Sequence, residues 1–130
     1  MNIFKHKQKL LHILKRKDEH SIHSPYMFDL YNKQIKKNRK NPNKLIASLE
    51  NEFGNENIIK IPSSYIEFQN IQTKITEKTI LCIENPYQNK DTYMEFYKIS
   101  NDPRTLVSVD LFFLGLTSQN KDLSRQHYIF

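Results

Sequence analysis

The six residues TILCIE, at positions 79–84, decide the fold class of this 130-residue chain. The run is apolar at nearly every position, which is typical of a strand that is covered on both faces of a sheet. Cys82 lies inside the run, and a lone cysteine cannot form an internal disulfide. The stretch therefore predicts a central, buried strand in which Cys82 packs in the core.

A strand and a helix are predicted on the amino-terminal side of this run. Residues 57–61 have the pattern of a strand, and Pro62 ends it. Ser64 and Glu67 have the spacing of a capping box, in which each side chain bonds the other residue's backbone N–H. They predict the start of a helix that carries the apolar residue Phe68.

Helix and strand alternate again on the carboxyl-terminal side. Residues 91–101 predict a helix with Met94 and Tyr97 facing inward, and TLVSVDLFFLGL at 105–116 predicts one long strand. Residues 126–130 then return as its antiparallel partner. Asp110 lies mid-strand beside Phe112 and Phe113, and we expect it at a sheet edge or paired. Strands separated by helices predict an α/β protein with a mostly parallel sheet of about four strands and an antiparallel C-terminal strand.

Three helices are predicted before the sheet. In residues 2–17, apolar side chains recur at helical spacing between lysines, which predicts an amphipathic helix. Ser24-Pro25 and Asn41-Pro42 are typical starts for two further helices, because the polar side chain caps free N–H groups and proline suits the first turn. Gly54 stands where the third helix is expected to end.

Positive charge is concentrated in residues 1–44, a basic helical segment that precedes an α/β domain over residues 45–130. The segment holds twelve of the 20 Lys and Arg residues but three of the 14 Asp and Glu residues. Such a distribution attracts phosphate backbones or acidic protein surfaces, although a solvated lysine-rich helix face has the same composition. We expect both parts to form one compact unit. The candidate binding surface consists of Lys5, Lys9, Lys15, Arg16, Lys17, Lys36, Lys37, Arg39 and Lys40.

Several kinds of protein and site are disfavoured by the sequence. The longest apolar run, residues 111–116, is far too short for a transmembrane helix, and the N-terminus lacks a signal peptide's apolar region. We therefore expect a cytoplasmic protein without a membrane partner. His20 and His23 make a weak metal site, and Ser24 is better explained as a helix cap than as a nucleophile. The sequence predicts no metal site and no catalytic residue.

Three stretches of the sequence resemble the two ends of one protein family. They are HSIHSPYMFDLY at 20–31, IENPYQNKDTYMEFYKISNDPRTLVSVDLFFLGL at 83–116, and the closing SRQHYIF. The family is a poorly characterised group of class I S-adenosylmethionine (SAM)-dependent methyltransferase-like proteins from Bacteroidetes. The resemblance implies that the first stretch lies in N-terminal helices. It also implies that the second covers a fifth strand, the following helix and a final antiparallel strand pair.

The half of that fold which binds SAM has no counterpart here. A class I methyltransferase holds SAM on a glycine-rich turn after the first strand and on an acidic residue that ends the second strand. The glycines of this chain are Gly54 and Gly115, and neither lies in such a turn. The resemblance aligns residues 57–61 best with the fourth strand. It therefore implies that residues 45–130 form a truncated, half-Rossmann domain.

Four residues remain as weak candidates for a cofactor pocket. By the resemblance, Ser63 and Tyr65 follow the fourth strand, where members that look active carry an acidic residue. Glu84 and Asn85 end the fifth strand, and Glu84 is equally well explained as a structural carboxylate. We therefore expect no cofactor, and SAM is expected only if a partner completes the fold.

The sequence accordingly predicts a degenerate methyltransferase-like protein that acts as a non-catalytic binding or interaction module. Loss of three strands exposes the sheet edge at residues 57–61, which the N-terminal helices, a second copy or another protein must cover. Two alternatives stay open. One is a SAM-dependent methyltransferase completed by a partner or oligomer. The other is an RNA- or ribosome-associated protein that binds through its basic helices.

Overall fold

The computed structural model of this protein describes residues 2–16 and 25–130, without the side chains of Pro25 and Phe28. Its helices are α1 (Ile3–Lys15), α2 (Pro25–Leu30), α3 (Lys36–Asn38), α4 (Pro42–Phe53), α5 (Tyr65–Asn70) and α6 (Lys90–Ser100). Its strands are β1 (Ile58–Pro62), β2 (Ile80–Glu84), β3 (Val107–Asp110), β4 (Leu114–Ser118) and β5 (Gln126–Ile129). Shorter turns of helix are the π-helical Tyr31–Ile35 between α2 and α3, and the 3₁₀ turns Asn55–Asn57 and Gln72–Lys74.

The described strands form one mixed sheet in the order β1-β2-β4-β3-β5. β1 pairs parallel with β2, and β3 pairs parallel with β5, while β4 runs antiparallel to both of its neighbours. The α/β class is therefore confirmed, but the prediction of a mostly parallel sheet of about four strands is wrong, because the sheet has five strands and two of its four strand pairs are antiparallel. The C-terminal strand, β5, is parallel to its neighbour, so the prediction of an antiparallel partner at residues 126–130 is wrong.

The prediction of one long strand over residues 105–116 is also wrong, because the chain turns within it. Phe112 has a positive φ of 72°, and Leu111 donates its N–H to the Leu114 carbonyl at 3.0 Å, which closes the turn between β3 and β4. Asp110 Oδ1 accepts the Phe112 N–H at 2.9 Å and supports the turn. Asp110 is the one turn-favouring residue at positions 110–113, and the apolar, strand-like residues around it favour an unbroken strand in the sequence pattern.

Both faces of the sheet are covered by helices. On one face, Ile80 and Cys82 pack in a cluster with α2, the π-helical turn and α4. On the other face, Leu81 and Ile83 pack against Phe68 of α5 and residues of α6. The alternation explains why residues 80–83 are all apolar, and it confirms the prediction of a buried strand that contains Cys82.

The helix ends confirm most of the predicted signals. The Asn41 side chain accepts the Lys44 N–H at the start of α4, and Gly54 ends that helix with a φ of +92°. Ser64 accepts the Glu67 N–H at the start of α5, but its own N–H donates to the carbonyl of Pro62. The predicted capping box is therefore half formed. The helix start predicted at Ser24 lies outside the described residues.

The inward face of α6 differs from the prediction. Met94 and Tyr97 are 44% and 54% exposed, whereas Phe96 and Ile99 are buried against the sheet. The two faces of this helix both carry large apolar or aromatic side chains, so periodicity alone does not select between them. Packing against β2 and β4 selects the Phe96 face.

The helix α1 packs with its apolar side outward. His12 is its buried residue at 3% exposure, whereas Ile3, Leu10 and Leu14 are 89%, 54% and 82% exposed. An amphipathic pattern normally indicates that the apolar side faces the core. Here α1 lies against Asp110 at the end of β3 instead of lying on an apolar face of the sheet, so a polar side chain makes the buried contact.

Within residues 2–16 and 25–130, every helix falls short of the length and apolar character that a bilayer-spanning segment requires.

Candidate functional site

The carboxyl end of the sheet is the place where α/β proteins bind their ligands. Here α1 lies across it. Asn2 Nδ2 donates to the carbonyl of Gln88 at 2.9 Å, and the rings of Phe4 and Tyr93 meet edge to face at 6.0 Å. Near its other end, α1 contacts β3 through His12. The helix therefore packs against the end of β3, the loop that leads to α6 and the first turn of α6.

His12 is the buried polar anchor of α1. Its Nε2 atom lies 3.0 Å from both Oδ1 and the backbone carbonyl oxygen of Asp110. Arg16 Nε donates to His12 Nδ1 at 2.9 Å. Because Nδ1 accepts a hydrogen bond, the proton of the neutral ring is assigned to Nε2, which donates to Asp110. Both ring nitrogens are thus engaged within the protein.

Asp110 joins three parts of the chain. Besides His12, it accepts the hydroxyl of Tyr87 on Oδ2 and the N–H of Phe112 on Oδ1. The Tyr87 and Phe112 rings stack at 4.7 Å. Burial and the Asp110 carboxylate raise the pKa of Tyr87 far above its usual value, so this phenol remains a hydrogen-bond donor. The carboxylate thus fastens α1, the β2–α6 loop and the β3–β4 turn together.

A cleft adjoins this cluster between α1, α6 and β5. Its volume is about 240 Å³, and His12, Asp110, Ser100 and Ser108 contribute to its walls. Ser108 donates its hydroxyl to Ser100 Oγ at 2.9 Å. Pockets for drug-sized ligands usually span about 300–1,000 Å³. The cleft is therefore small, and the polar groups at its base are already bonded to one another.

The candidates Ser63 and Tyr65 take part in structural contacts. Ser63 is buried and donates its hydroxyl to the Thr92 carbonyl at 2.6 Å, and Tyr65 donates its hydroxyl to Asp102. Asp102 also accepts two side-chain bonds from Arg104, at 2.9 and 3.0 Å, and these bonds hold the pKa of Asp102 well below its usual range. Both candidates therefore tie the start of α5 to α6 and the segment after it.

The candidates Glu84 and Asn85 lie in a different place. They are exposed, and they line an open cleft of about 230 Å³ together with Asn43 of α4 and Phe113 of the β3–β4 turn. Although Glu84 lies opposite Pro62 in the sheet, its cleft is on the α4 side, while the Ser63 hydroxyl bonds to α6. The four candidates therefore lie in two separate places, Ser63 and Tyr65 toward α6 and its following segment, and Glu84 and Asn85 toward α4.

The predicted basic surface divides into several places. Lys5 Nζ and Lys9 Nζ lie 5.9 and 5.4 Å from the centre of the Phe113 ring. Arg16 lies close enough to Arg39 for the second charge to add to burial in lowering the pKa of Arg16. The remaining members are Lys15 beside the 240 Å³ cleft, Lys36, Lys37 and Lys40 on and after α3, and Lys17, which lies outside the described residues.

Sequence reasoning partly located this site. The expectation for Asp110, a paired carboxylate or a residue at the sheet edge, is met by the pair with His12. The roles of His12 and Tyr87 were missed, since each is far from Asp110 in the chain. His20 and His23, the weak metal site, lie outside the described residues. In residues 2–16 and 25–130, no group of three His, Cys, Asp or Glu side chains is placed to hold a metal.

This chain has no match among family models, curated proteins or solved structures. Its class is therefore defined by the described residues themselves. It is a mixed α/β protein whose helix α1 packs against the end of β3 and the loop between β2 and α6.

Proposed function

We propose that this protein is a non-catalytic interaction module, a degenerate methyltransferase-like protein without a SAM site. One observation carries the proposal. At the carboxyl end of the sheet, where a ligand would bind, the buried His12 of α1 uses both ring nitrogens in contacts with Arg16 and Asp110. These bonds fasten α1 to the end of β3, which supports a structural role for both side chains.

Two further features support descent from a methyltransferase-like fold. The parallel pair β1–β2, the helix α6 and the antiparallel pair β3–β4 follow the order that the family resemblance implies for its last strands. The glycines lie at the end of α4 and within β4, away from the end of any parallel strand. On this proposal the domain is a truncated Rossmann-like fold that kept its last half.

The absence of SAM binding is the first test of this proposal. Calorimetric titration of the nucleic-acid-free protein with SAM and S-adenosylhomocysteine is expected to give no saturable heat up to about 1 mM ligand. A methyltransferase of known SAM affinity, titrated in the same buffer, serves as the positive control. Saturable micromolar binding would contradict the proposal, and the alternative of a methyltransferase completed by a partner or oligomer would take its place.

The sheet edge predicted as a contact surface is β1, which among the described strands pairs with β2 alone. Its central residue, Lys60, is exposed, and Pro62 ends it. A charged residue and a proline on an edge strand discourage pairing with another strand. Self-association through residues 57–61 stays a proposal, and the character of this edge makes α1 the stronger candidate for a contact surface.

A second candidate function, RNA binding, is favoured by one observation. Two ammonium groups, those of Lys5 and Lys9, lie over the partly exposed ring of Phe113. Proteins commonly bind single-stranded nucleic acids with cations beside an aromatic ring, because the charges contact phosphates and a base stacks on the ring. The basic surface near Arg16 and Arg39 adds positive charge at the same end of the molecule.

If this second function holds, charge reversal at the ring will weaken RNA binding. The variant Lys5→Glu/Lys9→Glu is expected to lose about tenfold in affinity for a labelled single-stranded RNA, and to reduce the salt dependence of binding. The matched control is Lys60→Glu/Lys74→Glu, which changes the net charge equally elsewhere on the surface. Fluorescence anisotropy at several salt concentrations measures both. Equal losses in the two variants would assign binding to net charge alone and would remove this candidate.

A further inference from the structure

The outer face of α1 is an apolar stripe without a partner among the described residues. Ile3, Leu10 and Leu14 share one face of the helix, since the spacings of seven and eleven residues correspond to two and three turns. All three are largely exposed. Lys7 lies on the same side, and the sequence of α1 contains no Asp or Glu. The stripe is therefore both apolar and positively charged.

A groove of the opposite charge lies elsewhere on the molecule. It has a volume of about 480 Å³, and it combines the partly buried rings of Tyr26 and Phe53 with a rim of carboxylates. Those carboxylates belong to Glu52, Glu77 and Asp122, and Lys78 is the one cation among the described lining residues. A second cleft, of about 170 Å³, shares Tyr26, Glu52 and Phe53 and adds one carboxylate, Asp29, and one cation, Lys33.

The stripe and the groove lie at opposite ends of the sheet. The helix α1 contacts Asp110 at the carboxyl end of β3. The groove lies at the amino end, because Asn57 and Lys78 precede β1 and β2, and because Ile80 at the start of β2 is paired with Ser118 at the end of β4. While His12 stays bound to Asp110, α1 cannot reach the groove of its own copy.

We propose that the apolar stripe of α1 docks into the Tyr26–Phe53 groove of a second copy of this chain. The inference rests on the proposed function and names the partner of that interaction module. Burial of the leucine side chains removes apolar area from water, and Lys7 meets a groove that is rimmed by carboxylates. The two surfaces differ, so the contact is head to tail, and each added copy presents a free stripe and a free groove for the next.

Two variants of the full chain disable one surface each. The stripe variant is Leu10→Gln/Leu14→Gln, and the groove variant is Glu52→Lys/Glu77→Lys. All four residues are exposed, so we expect both variants to keep the circular dichroism spectrum and unfolding temperature of the parent. Sedimentation velocity at several concentrations up to about 200 µM measures the size of each species.

The head-to-tail contact predicts a distinctive pattern of association. The parent chain forms species larger than a dimer as its concentration rises, and each variant alone stays monomeric. An equimolar mixture of the two variants forms a one-to-one heterodimer that grows no further, because the intact stripe of one fits the intact groove of the other. In that heterodimer the groove variant supplies its intact stripe, and the stripe variant supplies its intact groove.

Three results would overturn the inference. These are a monomeric parent chain at all concentrations, self-association of either variant, and a mixture that stays monomeric. A further measurement uses vesicles of anionic phosphatidylglycerol. If the vesicles bind the monomeric parent chain but not the stripe variant, the stripe binds a lipid surface instead of a second copy. The SAM titration separates the two proposals, because SAM binding refutes the interaction module, whereas a monomer that binds no SAM refutes only the head-to-tail contact.

Discussion

Replacement of Asp110 by alanine is expected to lower the free energy of unfolding by about 3 kcal/mol, because it leaves buried polar partners unpaired. The carboxylate accepts bonds from the His12 ring, the Tyr87 hydroxyl and the Phe112 N–H. Tyr87 and Phe112 are buried and stacked, so the O–H and N–H groups lose their acceptor in a largely buried place. His12 keeps one acceptor, the backbone carbonyl of residue 110. The loss of stability is therefore smaller than it would be if every partner of the carboxylate were left without a hydrogen bond.

The same substitution is also expected to loosen α1. Since His12 is the buried residue of that helix, backbone amides of residues 3–15 in Asp110→Ala should exchange with deuterium faster than in the parent chain. Urea unfolding and hydrogen–deuterium exchange measure the two effects. Asp91→Ala, which removes an exposed carboxylate from the first turn of α6, is the matched control and is expected to cost about 0.5 kcal/mol. A cost for Asp110→Ala no larger than that of the control would contradict the role assigned to the cluster.

The parts of the fold that the sequence predicted are those with a local cause. The buried strand at residues 79–84 follows from an apolar run, and α4 follows from an asparagine cap, a proline and a glycine. The turn at Phe112 has Asp110 as its one local mark, and its positive φ is also supported by stacking of Phe112 on Tyr87, which is far away in the chain. A conformation that depends on tertiary contacts is invisible to local patterns.

The candidate site was harder to predict for the same reason. His12 and Asp110 are 98 positions apart, and no spacing rule joins them. The basic residues follow from composition, which gives the sign of the charge on a surface but not the positions of the charged side chains. The structure adds that Lys5 and Lys9 meet the Phe113 ring, which composition does not reveal. The outward stripe of α1 reverses the usual meaning of an amphipathic helix, because a polar contact decides which side faces the protein.

The substitution Gly115→Ala is expected to destabilise the protein by about 1–3 kcal/mol, because it overpacks a buried contact between β4 and α6. A Cβ atom at position 115 would lie 2.4 Å from Cε1 and 2.8 Å from Cζ of Phe96. The ring of Phe96 is buried and packs in the cluster with Leu81 and Ile83, so it has little room to move. Thermal and urea unfolding measure the loss.

A double-mutant cycle with Phe96→Leu tests the cause of that loss. If the clash with the ring is responsible, Gly115→Ala will cost less in the Phe96→Leu background, with a coupling energy of about 1 kcal/mol. Gly54→Ala is the control, because its Cβ would meet only the flexible side chain of Glu56, and its cost comes from the positive φ of 92°. That cost should be the same in both backgrounds. If Gly115→Ala also costs the same in both backgrounds, its effect is additive with that of Phe96→Leu. The close approach of α6 to β4 is then not the reason for glycine at this position.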